Sequence, residues 1–168
     1  MTMLRPGLLA GRGVALAGGV PPAIAGVIAA LGARLDAEPI RALVYDARPA
    51  FGGGGQDSLR ECTELAWVAV HEVATGALIP AGAGKIVLIG PRPDAGPFAA
   101  AARAALENLA RTLSVEWARY GVTAVAIAPG ERTRDDELAE LVCFLVSPAG
   151  EYFTGCAFEL GAKLIRTS

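Results

Sequence analysis

Apolar residues recur along this chain in two rhythms. Between Pro97 and Trp117 they fall at Phe98, Ala102, Ala105, Leu109, Leu113 and Trp117, the three- and four-residue intervals of one helical face. Arg103, Glu107 and Arg111 form an i, i+4 charge ladder along the same stretch. The pattern predicts a long helix with one buried stripe, stopped by Gly121. Val122 to Ala128 follows as a run of small, largely apolar residues closed by Pro129-Gly130, the mark of a strand buried on both faces of a parallel sheet. Helix, tight stop and buried strand make half of a βαβ unit.

The same two rhythms divide the rest of the chain. Val14 to Ala17 reads as a first strand, turned by Gly18-Gly19. Pro21-Pro22 suits a helix start, and Ala23 to Leu31 continues as an apolar helix. Gly32 to Leu35 makes a short second strand and Arg41 to Tyr45 a third. Gly52 to Gly55 reads as a flexible loop, lid or linker. Asp57 or Ser58 caps a helix running to about Leu78, with Leu59, Cys62, Leu65, Ala66, Ala69, Val70 and Val73 on its apolar side. Lys85 to Ile89 is a fourth strand ending at Gly90-Pro91. Asp135-Asp136 caps an amphipathic helix from Glu137 to Val146, Cys156 to Leu160 is a last strand, and residues 163–168 form a tail. The implied class is α/β: a three-layer, Rossmann-like or flavodoxin-like parallel sheet of five or six strands with helices on both faces, in strand order 2-1-3-4-5 plus a sixth.

Composition narrows the partners. The 168 residues, 53% of them hydrophobic, suffice for one domain with a large core. A net charge of −2 without a basic stripe argues against nucleic acid. Only 19% of residues are charged, which favours an extensive subunit interface. The charge-free run from Gly13 to Ala33 is broken by Gly18-Gly19 and Pro21-Pro22, which argues against a membrane span or an export signal. Cys62, Cys143 and Cys156 have neither disulfide nor metal-ligand spacing, so they read as buried residues of a cytoplasmic protein, with no metal site. His71, the one histidine, stands on a helix beside Glu72 with no nucleophile or ligand to work with.

Strand, glycine turn and apolar helix are how a phosphate-binding unit begins. Such a unit needs later glycines so that backbone N–H groups approach a pyrophosphate. Pro22, Ala23, Ile24 and Ala25 stand there instead, so Gly18 and Gly19 read as a structural turn. The interval before the third strand is too short for the helices, strand and ribose-binding acid of a complete dinucleotide fold, which leaves Asp36 and Glu38 poor candidates for that acid.

Three segments carry a family resemblance: GKIVLI from Gly84, ARAALENLARTLSVEWARYGVTAVAIAPG from Ala102, and ELAELVCFLVSPAGEYFTG from Glu137, with LLAGRGVALAGG a weaker match near the start. Together they resemble the short-chain dehydrogenase/reductase family. The resemblance identifies the helix that in the family carries a catalytic Tyr four residues before a Lys. Aligned on Ala104-Ala105-Leu106, the Tyr place holds Ala99 and the Lys place Arg103. The family's Ser place falls at Gly90-Pro91, its structural Asn near Trp67, and its Asn-Asn-Ala-Gly at Tyr45-Asp46-Ala47-Arg48. Alanine has no proton to give, and arginine neither sheds one nor copies a compact ammonium. Gly18, Gly19, Asp46, Pro129, Gly130 and Thr154 mark the family's cofactor edge, and NAD(P) is the cofactor it implies; the substitutions lead to an expectation of none.

On this resemblance the chain reads as a truncated, catalytically degenerate relative, most like the flavodoxin-like N-terminal half of two-domain β-ketoacyl reductases. The implied function is a non-catalytic subunit that pairs, through helices 57–78 and 97–119, with itself or with an active reductase of acyl or keto substrates. Two alternatives stand beside it. One is an NAD(P)-dependent oxidoreductase whose chemistry has moved to Asp46, Arg103, Tyr120 or Tyr152. The other is a binding module for flavin, acyl-CoA or phosphate, with Arg48 and Gly52 to Gly55 as the contact region.

Overall fold

A computed structural model describes residues 3–161, so the tail read at 163–168 lies outside the described residues. Six parallel strands form one sheet in the order β2-β1-β3-β4-β5-β6: β1 (Gly13–Ala17), β2 (Arg34–Leu35), β3 (Ile40–Asp46), β4 (Gly84–Ile89), β5 (Val122–Ala128) and β6 (Ala157–Glu159). The helices are α1 (Pro22–Ala30), the single turn α2 (Arg48–Phe51), α3 (Gln56–Val73), α4 (Ala99–Glu116) and α5 (Asp135–Val146). Side chains alternate across the strands, so Val44, Val87 and Val125 meet α1 and α5 on one face. Leu43, Ile86 and Ala124 meet α3 and α4 on the other. This is the Rossmann-like three-layer α/β fold that the sequence pattern predicts. Among the described residues no helix is long and apolar enough to cross a membrane.

The turn from β2 into β3 is the unusual connection. Parallel strands ordinarily need a dozen or more connecting residues, commonly a helix. Here Asp36 to Pro39 makes the crossing, passing so close beneath β1 that a Cβ on Gly13 would lie 2.3 Å from Pro39 O and 2.4 Å from Ala37 O. Asp36 anchors the crossing from both ends: its N–H donates to Val14 O (2.9 Å) and its Oδ1 accepts from Leu16 N–H (2.8 Å). With no helix in this connection, Ala15 and Ala17 on the α3 side of β1 are only partly buried.

Three local expectations change. The buried stripe of α4 is Ala99, Ala102, Leu106, Ala110 and Leu113, rotated from the stripe read in the sequence, which leaves Phe98 exposed and Ala105 and Leu109 on a flank. The charge ladder keeps its Glu107–Arg111 pair (2.6 Å), but Arg103 turns away to main-chain carbonyls at the sheet edge. The glycine run is not a free linker. A Cβ on Gly54 would lie 2.5 Å from Ala95 O and one on Gly96 2.7 Å from Gly54 Cα, so two backbones cross there at van der Waals contact. Helix α3 accordingly begins at Gln56 behind Gly55, without a side-chain cap from Asp57 or Ser58.

At the amino-terminal end of the sheet, Lys85 is fully buried. Its ammonium donates to Gly150 O (2.9 Å) and to Phe153 O, pinning the segment between α5 and β6 beneath the strands. Burial pushes its pKa down to about 8.

Two predictions follow from these contacts. Gly13→Ala drives a methyl group into two carbonyl oxygens and should cost about 2–3 kcal/mol in urea unfolding. For Lys85, the folded chain releases the proton near pH 8 and an unfolded lysine holds it to about 10.4. The unfolded state therefore binds more protons between these values, and this group makes stability rise with pH across that window. The buried thiols of Cys62 and Cys143, both pushed up by burial, pull the other way. The measurement is thus the stability of the wild type minus that of Lys85→Met at pH 7.5 and pH 10, and the difference should shift toward the wild type at the higher pH.

Candidate functional site

In α/β sheets ligands bind outside the carboxyl ends of the strands, where the connections part to opposite faces. In this chain that point lies beyond β1 and β3. The residues there form a crevice of about 430 Å³ lined by Pro21, Asp46, Arg48, Phe51, Arg92 and Asp135, among others. Asp46 ends β3 with its side chain fully buried. Its Oδ1 accepts from Arg48 N–H (3.0 Å) and Nε (3.0 Å), and its Oδ2 from Arg48 Nη2 (2.7 Å). The other arm of the guanidinium reaches across the chain to the first residue of α5, where Nη1 donates to Asp135 Oδ1 (2.8 Å). Burial opposes the charge on Arg48, but the bonds to Asp46 and Asp135 outweigh it and hold the guanidinium's pKa above its ordinary range. One arginine thus ties the end of β3 to the start of α5 across the crevice.

The neighbouring glycines serve packing. A Cβ on Gly18 would lie 2.2 Å from Asp46 O, and one on Gly19 3.2 Å from Pro49 Cγ, so the β1–α1 turn sits directly on the Asp46–Pro49 segment. At the start of α1, Pro21 and Pro22 have no N–H to offer, and the N–H groups of Ile24 and Ala25 donate to Pro21 O (2.9 and 3.0 Å). An anion at this helix end would find two donors missing and two engaged.

The residues in the family's catalytic places are also accounted for. Ala99 is the buried first residue of α4. Arg103 Nη1 donates to Pro91 O (3.0 Å) and Pro129 O (2.7 Å), joining the ends of β4 and β5. A second cleft of about 600 Å³ lies beside it, lined by Arg103, Gly130, Arg132 and Glu159. Gly90 continues β4, its N–H donating to Ile127 O (2.9 Å). Trp67 stands away from the crevice on α3, half exposed and stacked on Trp117 (6.4 Å between ring centres). These residues suit a nicotinamide dinucleotide poorly: Pro21, Pro22 and the two bonds to Pro21 O leave few donors at the pyrophosphate end, and Arg48 stands across the crevice.

Asp46, Pro129 and Gly130 reach the carboxyl edge as expected. Thr154 does not, because its Oγ1 accepts from Ala124 N–H (3.2 Å) near the amino end of β5. Tyr152 lies beside Phe153, whose carbonyl Lys85 holds at the amino end of β4, and Tyr120 stands two residues before the start of β5. Neither tyrosine can serve a site at the opposite edge. The sequence reading left Asp135 out of the site and gave Lys85 no role. Asp135 and Arg48 are 87 residues apart, and the only local signal was an arginine in the place of a family glycine.

Arg48→Met leaves Asp46 buried without its counter-charge and should cost about 3–5 kcal/mol in chemical denaturation. Asp135→Asn removes the more exposed partner and should cost under about 1 kcal/mol.

No family model matches the sequence, and no curated protein matches it. Solved structures do match its fold. A citronellol catabolism dehydrogenase of Pseudomonas aeruginosa PAO1 superposes with a TM-score of 0.74 at 20% identity, over 95% of this chain and 97% of that one. A putative NAD(P)-dependent gluconate 5-dehydrogenase of Beutenbergia cavernae, solved with NADP at low occupancy, gives 0.73 at 21% identity over 92% and 97%. A Serratia marcescens short-chain dehydrogenase/reductase gives 0.73 at 21% identity over 91% and 97%. These matches run nearly the whole length of both chains, which overturns the reading of this chain as a truncated half of a two-domain reductase. The fold of the described residues is that of short-chain dehydrogenases, laid out around a single six-stranded sheet.

Proposed function

We infer that this chain is a subunit of short-chain-dehydrogenase fold that does not itself run the family's Tyr–Lys proton relay, and that it acts by pairing with a second copy or with an active reductase. One observation carries the inference: the Arg48 guanidinium bridges Asp46 and Asp135 across the switch-point crevice, where a dinucleotide would have to lie. The alanine at position 99 agrees with it, because no hydroxyl stands there to protonate a carbonyl oxygen. Pairing is supported by the outer flank of α3 and α4. Thr63, Trp67, Ala105 and Leu109 line an apolar groove of about 210 Å³ there, and Trp67 is 46% exposed.

A second reading is favoured by a different observation. Likeness over nearly full length to solved dehydrogenases supports an NAD(P)-dependent oxidoreductase more directly than it supports a non-catalytic subunit. On that reading the chemistry falls to the edge residues Asp46 and Arg103, since Tyr120 and Tyr152 lie at the other end of the sheet.

Calorimetry separates the two. Titration with NADH and NADPH to millimolar concentration should give no saturable heat, and a Kd below about 1 mM for either would establish the second reading instead. The pairing arm is read by sedimentation: Trp67→Asp should halve the mass of the assembly formed by the wild type, and a wild type that is monomeric and recovers no reductase from its native cells would sink the first reading.

A further inference from the structure

The missing crossover helix leaves a seat on the sheet. In a flavodoxin-like strand order the connection from β2 to β3 lays a helix over β1 on the face shared with α3. Here Asp36 to Pro39 crosses without one, and the consequence appears on α3. Leu65 (44% exposed) and Val68 (58%) project from the flank nearest β1, where the sequence pattern placed Leu65 in the core. With Gly18, Tyr45, Ala50 and Ala69 they line a groove of about 390 Å³ whose one charged lining residue is Glu72. The hydroxyl of Tyr45, a residue only 2% exposed, is buried at its inner wall with no hydrogen-bond partner.

Charge and length identify the occupant. Glu61 shares the helical flank of Leu65, Val68 and Glu72, close enough to Tyr45 to act on it electrostatically. The two glutamates bracket the apolar stripe three turns apart, about 16 Å at 1.5 Å per residue. Both are exposed, and neither forms an ion pair among the described residues. A second copy laid antiparallel on this flank would bring Glu61 and Glu72 carboxylates together, which disfavours self-association here. We propose that this groove, formed by β1, Tyr45 and the Glu61–Glu72 flank of α3, is the docking site for an amphipathic helix of a partner protein. The partner's apolar stripe is bracketed by Lys or Arg, and its helix takes the place of the one the chain lacks. The flank is distinct from the Thr63–Trp67 flank that faces α4, so the proposal stands or falls separately from the pairing described above.

The test uses the purified chain and two synthetic helical peptides of about four turns, with the same Leu/Ala stripe and either Lys or Glu at both ends. Fluorescence anisotropy should show saturable binding of the Lys-ended peptide only. Val68→Asp, at an exposed position checked for native circular dichroism, should weaken it by roughly tenfold or more. Glu72→Lys should weaken the Lys-ended peptide by about three- to fivefold and raise affinity for the Glu-ended one. Equal binding of both peptides, binding of neither, or indifference to Val68→Asp would overturn the proposal. So would a wild-type assembly that Val68→Asp dissociates and Trp67→Asp leaves intact, which would assign the groove to a second copy.

Discussion

The left half of this molecule depends on one absent methyl group. Gly13 lets the chain pass directly beneath β1, with two carbonyl oxygens occupying the space that a Cβ would need. Because that passage is possible, the β2-to-β3 connection needs no helix, and β2 shrinks to two residues pairing only with the start of β1. The sheet stays parallel throughout, since β1 and β3 still meet in register from Val14 to Ala17. What the short connection omits is cover: one face of β1 and one flank of α3 remain open, although both carry apolar residues.

The carboxyl edge shows the opposite response, a space filled from within. Arg48 stands where the resembling family has glycine, and its side chain takes up the region in front of β1 and β3. Burying a guanidinium between carboxylates is costly unless its donors are satisfied in good geometry. Here Asp46 receives it two-pronged and Asp135 takes the third contact. The arrangement links the end of β3 to the start of α5. Arg103 does the same for β4 and β5 by donating to two carbonyls. Both arginines act as internal struts at the carboxyl edge of the sheet.

Strand positions, helix positions and sheet order were legible in the sequence because period and turn chemistry are local, and burial on both faces of a parallel sheet leaves unmistakable apolar runs. That Ala99 and Arg103 share one helix was legible for the same reason, because they stand four residues apart in a helical pattern. The likeness to half of a larger reductase was misleading. It weighed missing segments, whereas the solved dehydrogenases superpose over nearly their full length because fold similarity follows the sheet and not the omitted crossover.

Contacts between distant positions could not be read in advance. Nothing local distinguishes Leu65 from the buried Cys62 and Ala66 on the same helix; its exposure follows from the absence of a helix over another strand. Thr154 and the two tyrosines fell at the amino end of the sheet because β6 and the turn before β5 enter from that side. The sequence by itself determined the elements and their order, since each depends on residues within a few turns of one another. Only the tertiary structure decided that Arg48 reaches Asp135, that Lys85 holds Gly150 and Phe153, and that Gly13 carries the crossing, because these are contacts made across the sheet by residues far apart along the chain.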